Sequence, residues 1–324
     1  MPRTVMGYVL RFTGIHQAGL ALLSIAVFLL STAPLELQRR IVNDLVSKGS
    51  SRTIFWLAVA YASVALAEQG LKLGLNVYRA WVAESSVRAL RNIVDESEVR
   101  TALSTPSTLD TGVEIAMILE EAEPIGGFVG ISVSEPLLQG GILASVIGYM
   151  FFLQPHLALL GVAFFIPQMV FVPLLQHAIN IRARARILIK REISGALADN
   201  GHGADHAPSQ TDAIGRVFAL NMGIYWRKYS MNLLMNLMHH MSVAVALCVG
   251  GWLALEGRIE VGTVVAIVGG LGKLNDPWGD VVNWAREFSV VSVKYRLFAD
   301  AVNWVMGAPG PLAEPDLPPA AEAT

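Results

Sequence analysis

Glu68 and Lys72 stand four residues apart in an otherwise apolar stretch, the acid on the N-terminal side. On a helix this spacing brings carboxylate and ammonium together. Charged groups cost ~2.5–3.5 kcal/mol at the centre of a membrane helix, so they pair or face a polar cavity. The two residues read either as a self-neutralising bridge or as part of a wet path. Glu135, next to Pro136, lies between two uncharged stretches. Alone at that depth it is a group able to carry a proton; opposite a cation from another helix it is a structural pair. Lys273, Asp276 and Asp280 fall on one face of a helix. Pro277 lies among them and loosens the helix, freeing carbonyls, with Trp278 and Trp284 nearby. They line a polar path, or mark where the helix leaves the bilayer.

Other chemistry is weakly represented. Met231, Met235 and Met238 share a face, with Asn232, Asn236, His239 and His240 beside them. Thioether and imidazole suit Cu(I), but adjacent histidines point about 100° apart on a helix and cannot both join one simple site. Packing and interhelical hydrogen bonds are the expected role, and no metal site is assigned. The segment GGLGKLN at 269–275 resembles a phosphate loop only superficially. Ile267 and Leu274 stand where that loop needs Gly and a Mg²⁺-binding Ser or Thr. No catalytic residue is assigned, no cofactor is expected in this chain, and the chain is not expected to be an enzyme.

The elements that must hold these groups are membrane helices. Of 324 residues, 53% are hydrophobic and 15% charged, against about 25% charged in soluble domains. No Asp, Glu, Lys or Arg occurs in 136–181, a run far longer than a ~30 Å hydrocarbon core requires, so Gln154-Pro155-His156 is the expected hairpin turn. Spans are expected at 18–37, 54–82, 125–153, 156–179, 229–255 and 262–284, the first of them a retained span rather than a cleaved signal. Helices are the default because lipid leaves no other partner for the backbone. Cys248, the single cysteine, excludes an internal disulfide and reads as a buried small hydrophobe. Gly126-Gly127, Gly130, Gly140-Gly141 and Gly148 suggest close helix approach.

Lys and Arg set the orientation. Seventeen, including Arg79 and the basic 182–228 segment, fall on one side, and five, including Arg39 and Arg40, on the other. Both termini are then cytoplasmic. The connections on the cytoplasmic side are long, and helices are expected to continue out of the bilayer over 81–103 and 181–198. Residues 200–210 read as a turn or mobile tip, and 307–324, rich in Pro, as a disordered tail. The basic 182–191 cluster reads as a positive-inside anchor. It has no interleaved aromatics for nucleic acid.

Several stretches, in order, carry a family resemblance: LELQRRIVNDLVSKGS at 35–50, VAESSVRALRNIVDESEV at 82–99, STPSTLDTGVEIAMILEEAEPI at 104–125, EGRIEVGTVVAIVGGLGKLNDPW at 256–278 and SVKYRLFADAV at 292–302. Together they resemble the six-helix membrane domain of ABC exporters, over about residues 10–303. In the first coupling segment only Asp110, Thr111 and Gly112 match, and DAIGRVFALN, which begins at Asp212, partly echoes the second. The resemblance implies an all-α, polytopic, exporter-type domain in the cell's inner or plasma membrane. It would work as a homodimer or paralogous heterodimer, with helix six lining the path. A separately encoded ATPase would bind ATP and Mg²⁺ and grip the tips near 103–112 and 200–213. The alternatives are a proton-driven permease without ATPase and a non-transporting membrane scaffold.

Overall fold

The computed structural model describes residues 1–104, 122–199 and 207–305. All regular elements among them are helices: α1 Val5–Leu30, α2 Ala33–Val46, α3 Ser51–Ser104, α4 Ala122–Ile131, α5 Ser134–Leu153, α6 Pro155–Ala163, α7 Ile166–Asp199, α8 Ala207–Leu255, α9 Val261–Gly272 and α10 Asn275–Val305. Five stretches among the described residues are long and apolar enough to cross a membrane: Val5–Val46, Ser51–Ile93, Ala122–Leu153, Pro155–Arg186 and Asp212–Leu255. The stretch 262–284 is helical but divided, and is not among the five. The helices over 81–103 and 181–198 continue α3 and α7 as expected. Residues 207–210, read as part of a turn or mobile tip, instead open α8. The tail at 307–324 lies outside the described residues, as does most of the 200–210 tip.

Each break in a span lies just before a proline, although Pro173 stays inside the continuous α7 without breaking it. A proline inside a helix removes one N–H and crowds the carbonyl four residues earlier. The first, third, fourth and sixth expected spans each contain a two-residue break, at Ser31-Thr32, Ser132-Val133, Phe164-Phe165 and Lys273-Leu274. Each break precedes a proline at the second or third position of the next helix: Pro34, Pro136, Pro167 and Pro277. The residues four before these prolines are Leu30, Ser132, Ala163 and Lys273, each at the edge of its break. Pro124, Pro155 and Pro208 occupy first turns, where no N–H partner is lost. α3 and the apolar part of α8 contain no proline and run unbroken. Gln154, extended at φ −157° and ψ 96°, separates α5 from α6, where a turn was expected.

The chain forms two compact units. The first holds Met1–Phe28, Ala67–Gly141 and Asn283–Thr324. Its core includes Tyr8, Leu20, Leu75, Leu90, Ile125, Phe128, Tyr295 and Phe298, all essentially without exposure. Small residues let α4 close on α3: a Cβ on Gly126 would lie 2.8 Å from the Val87 amide nitrogen, and one on Gly130 2.5 Å from the Arg79 carbonyl oxygen. Gly141 meets Phe28 equally closely, whereas Gly127, Gly140 and Gly148 face open space. The chain's first residues are tied to α10: the Met1 ammonium donates to Asn303 Oδ1 at 2.6 Å and the Tyr295 hydroxyl to the Pro2 carbonyl at 2.9 Å. Burial, with Tyr8 beside it, holds the Tyr295 hydroxyl well above the ordinary phenol range.

The second unit holds Leu29–Leu66 and Ile142–Val282. Here α7 runs along α8, α9 packs on α2 and α8, and α6 packs on α8. Cys248 is exposed rather than buried. It sits on the outward face of α8, where Leu247 and Trp252 are also exposed. In a membrane protein an apolar exposed face meets lipid, so hydrophobicity alone does not put a side chain inside.

Candidate functional site: charges at the helix breaks

The first cluster surrounds the break between α4 and α5. Arg79 reaches it from α3, where Glu68, Leu75, Arg79, Val82, Ser86 and Leu90 form the buried stripe, with Lys72 half-buried beside them. Arg79 donates from Nε to Ser134 Oγ at 2.8 Å, and its Nη1 lies 2.5 Å from Glu135 Oε2. Gln139, one turn along α5, donates to Glu135 Oε1 at 2.8 Å. Glu135 is therefore in a buried pair with a cation from another helix, one of the two readings its position left open. Arg79 was counted among the seventeen solvent-side cations, but it is 8% exposed and belongs to this cluster.

The same break exposes backbone acceptors, and side chains from other helices answer them. Trp284 Nε1 of α10 donates to the Ser132 carbonyl at 3.2 Å, the oxygen whose helical partner Pro136 removes. Gln17 of α1 donates to the Val129 carbonyl at 2.9 Å and Ser24 to the Ser134 carbonyl at 3.2 Å. In lipid an unanswered carbonyl costs several kcal/mol, so the bonds to Ser132 and Val129 make the break tolerable, while the Ser24 bond is an added tie to the first residue of α5. α1, α3 and α10 thus converge on one irregular point of the third span.

Lys273 does the same at the first span. It is the C-cap of α9, and its Nζ donates to the Ser31 carbonyl at 2.7 Å, just past the end of α1. A cation there completes free carbonyls and complements the helix dipole. The expectation that Lys273, Asp276 and Asp280 share one helical face is corrected. The break that Pro277 imposes lies at Lys273-Leu274, so Lys273 belongs to the turn and the two acids to α10. Asp276 is exposed and Asp280 half-buried. Trp278 packs edge-on against Phe165, ring centroids 5.9 Å apart, both rings beside helix breaks.

Glu68 and Lys72 form their expected bridge, Nζ to Oε1 2.8 Å, with Glu68 buried at 5% exposure. His239 and His240 lie side by side, centroids 5.5 Å apart. Among the described residues no three His, Cys, Asp or Glu side chains gather to hold a metal.

A second polar cluster was missed by sequence reasoning. Glu36 of α2 accepts hydrogen bonds from Arg39, Arg40 and Tyr149, the last at 2.7 Å from α5. Arg39 also reaches Glu260 at 2.8 Å, and Asn43 donates to the same carboxylate. Asn43 Oδ1 accepts the Gly262 amide at 2.8 Å, capping the start of α9 from α2. The Arg39 carbonyl would collide with any Cβ at Gly262. The spacing of Glu36, Arg39 and Arg40 announces the local ion pairs, but no local signal announces Tyr149 or Glu260.

Of the expected coupling residues, Asp110, Thr111 and Gly112 lie outside the described residues. Asp212 is exposed as expected, but in a helix rather than a loop, since Pro208 opens α8 within its first turn.

Residues 18–184 match the family described as the ABC transporter transmembrane region. The match covers the first four expected spans, including the Arg79–Glu135 cluster and the breaks that follow α1, α4 and α6. Over half the chain is thereby accounted for, and the all-helical architecture agrees with it: this protein belongs to the ABC transporter transmembrane family.

Proposed function

We propose that this chain is the permease half of an exporter that acts as a dimer and is powered by a separately encoded ATPase. The chain itself neither binds nor hydrolyses ATP. The observation that carries the reading is the length of its helices. α3 has 54 residues and α8 has 49, or ~80 and ~75 Å at the α-helical rise, against a ~30 Å hydrocarbon core. Helices that continue so far beyond the bilayer offer a partner the leverage that a simple pore does not need. The family supports a partner, because such membrane domains generally pair with ATPases and often dimerise.

Six crossings with both termini in the cytoplasm are part of this proposal. Met1 touches Asn303, so the start of α1 and the end of α10 share one side of the membrane. An even number of crossings follows. Five stretches qualify by length and apolarity, and α9 with the start of α10 supplies the sixth. The positive-inside asymmetry favours the cytoplasm as that side. The proton-driven alternative is the weaker one, because Glu135 and Glu68 are both occupied by cations.

The test is affinity purification of the chain from its native membrane, followed by reconstitution into liposomes. Vanadate-sensitive ATP turnover is expected from a recovered complex and none from the chain alone. Saturable turnover by the pure chain, or transport by it on a pH gradient without ATP, would refute the proposal.

A further inference from the structure

Two sequence transitions meet at one level of the fold. On α7 the uncharged run ends at Arg182; on α8 the other uncharged run begins directly after Arg227-Lys228. The structure places these two borders side by side. A Cβ built on Gly223 would lie 3.4 Å from Arg182 Nε and 3.7 Å from Arg227 Nη1, so both guanidiniums converge on the gap that this glycine leaves. Arg186, one turn further along α7, donates to Asn221 Oδ1 at 3.1 Å and keeps its Nε buried without a partner. Arg182 and Arg227 each donate to a carbonyl of their own helix, Ala178 and Gly223. Among the described residues no carboxylate pairs with any of the three. This differs from the chain's other clustered arginines, Arg39, Arg40 and Arg79, each of which has a glutamate.

Aromatic residues mark the same level. Tyr225 and Tyr229 stack with centroids 6.2 Å apart, and Trp226 between them is 76% exposed. Tyr and Trp concentrate where hydrocarbon meets headgroups. Arginines with no carboxylate partner among the described residues, held at the border of two uncharged runs and flanked by exposed aromatics, have the setting expected at the level of lipid phosphates. Guanidinium donors match phosphate oxygens in a forked geometry.

We infer that the α7–α8 groove formed by Arg182, Arg186 and Arg227 is a binding site for the phosphate of an anionic phospholipid. The site is independent of what drives transport. It would fix the height of two long helices in the bilayer.

The experiment is native mass spectrometry of the purified full chain in detergent, titrated with dioleoylphosphatidylglycerol and, separately, dioleoylphosphatidylcholine. The anionic phosphatidylglycerol is expected to bind about tenfold more tightly than the zwitterionic phosphatidylcholine, in line with the contribution of basic residues near anionic lipid. Arg182→Gln with Arg227→Gln should remove that preference, whereas Arg258→Gln should keep it. Should the glutamine pair fail to run as a monodisperse species, Arg182→Lys with Arg227→Lys keeps the charge but loses the fork, and should reduce the preference several-fold. Equal binding of both lipids by the unaltered chain, or a preference unchanged in the folded double variant, overturns the site. Displacement of the phosphatidylglycerol by millimolar inorganic phosphate would assign the groove to a free anion and equally overturn it.

Discussion

At the scale of residues, the buried charges serve structure first. Removing Glu135 takes from Arg79 the carboxylate 2.5 Å from its Nη1, in a region that water reaches poorly. Breaking such a pair costs about 3–5 kcal/mol, whereas replacing both members by apolar residues is often nearly neutral. Glu135→Ala should therefore lower the thermal midpoint in detergent markedly, and Arg79→Met combined with Glu135→Met should recover much of the loss. Full additivity of the two single changes would contradict a direct pair. The same pair separates two modes of transport. If Glu135 carried protons, Glu135→Gln would abolish transport without loss of stability; here instability is expected to come first. The positions of Glu68, Lys72 and Glu135 inside apolar stretches were visible in the sequence. Arg79 was not recognised, although it follows Lys72 by seven residues and so shares its helix face. Its place near the end of the second expected span put it among the cytoplasmic-side cations. The contacts of Tyr149 and Glu260 with the Glu36 cluster were beyond reach, because they join segments more than a hundred residues apart.

At the scale of elements, prolines divide the spans and glycines join them. Five of the six expected apolar stretches, in their order, were legible from composition, because lipid demands long runs without charge; the sixth, 262–284, is not among the stretches long and apolar enough to cross. The breaks were less so: only Pro277 was read as loosening its helix, and proline alone would not have located the other three, since Pro34, Pro136 and Pro167 follow breaks while Pro173 lies within an unbroken helix. The glycines were noted as a group, but only some approach a neighbour, and facing depends on which helix lies opposite. Gly130→Val should cost about 1–3 kcal/mol by overpacking, since the Arg79 backbone cannot give way. Gly127→Ala meets nothing within 4 Å and should be neutral or stabilising by up to about 1 kcal/mol, the helix-propensity difference. Thermal unfolding of the two variants in one detergent checks the contrast, and a Gly130→Val protein as stable as Gly127→Ala would mean that α4 and α3 do not touch there.

At the scale of the whole molecule, the expectations concern sides and partners. Tags at residue 1 and residue 324 should be protected or accessible together, because Met1 and Asn303 are neighbours. Protease access to one terminus only, in sealed inside-out vesicles, would contradict six crossings. If the proposed separate ATPase is the partner, Asp212→Ala, at an exposed position of α8, should weaken association with it by several-fold while leaving the helical content unchanged. Co-purification yield measured against the circular dichroism of each preparation makes that comparison.

Cys248 gives the molecule a built-in ruler. It is the single thiol of the chain and stands exposed on α8. A nitroxide attached there labels one defined point per subunit, with no cysteine to remove beforehand. In a symmetric pair, pulsed electron resonance would then read a single separation between the two labels. Its change between resting and ATP-loaded preparations would report directly how far the two long α8 helices travel.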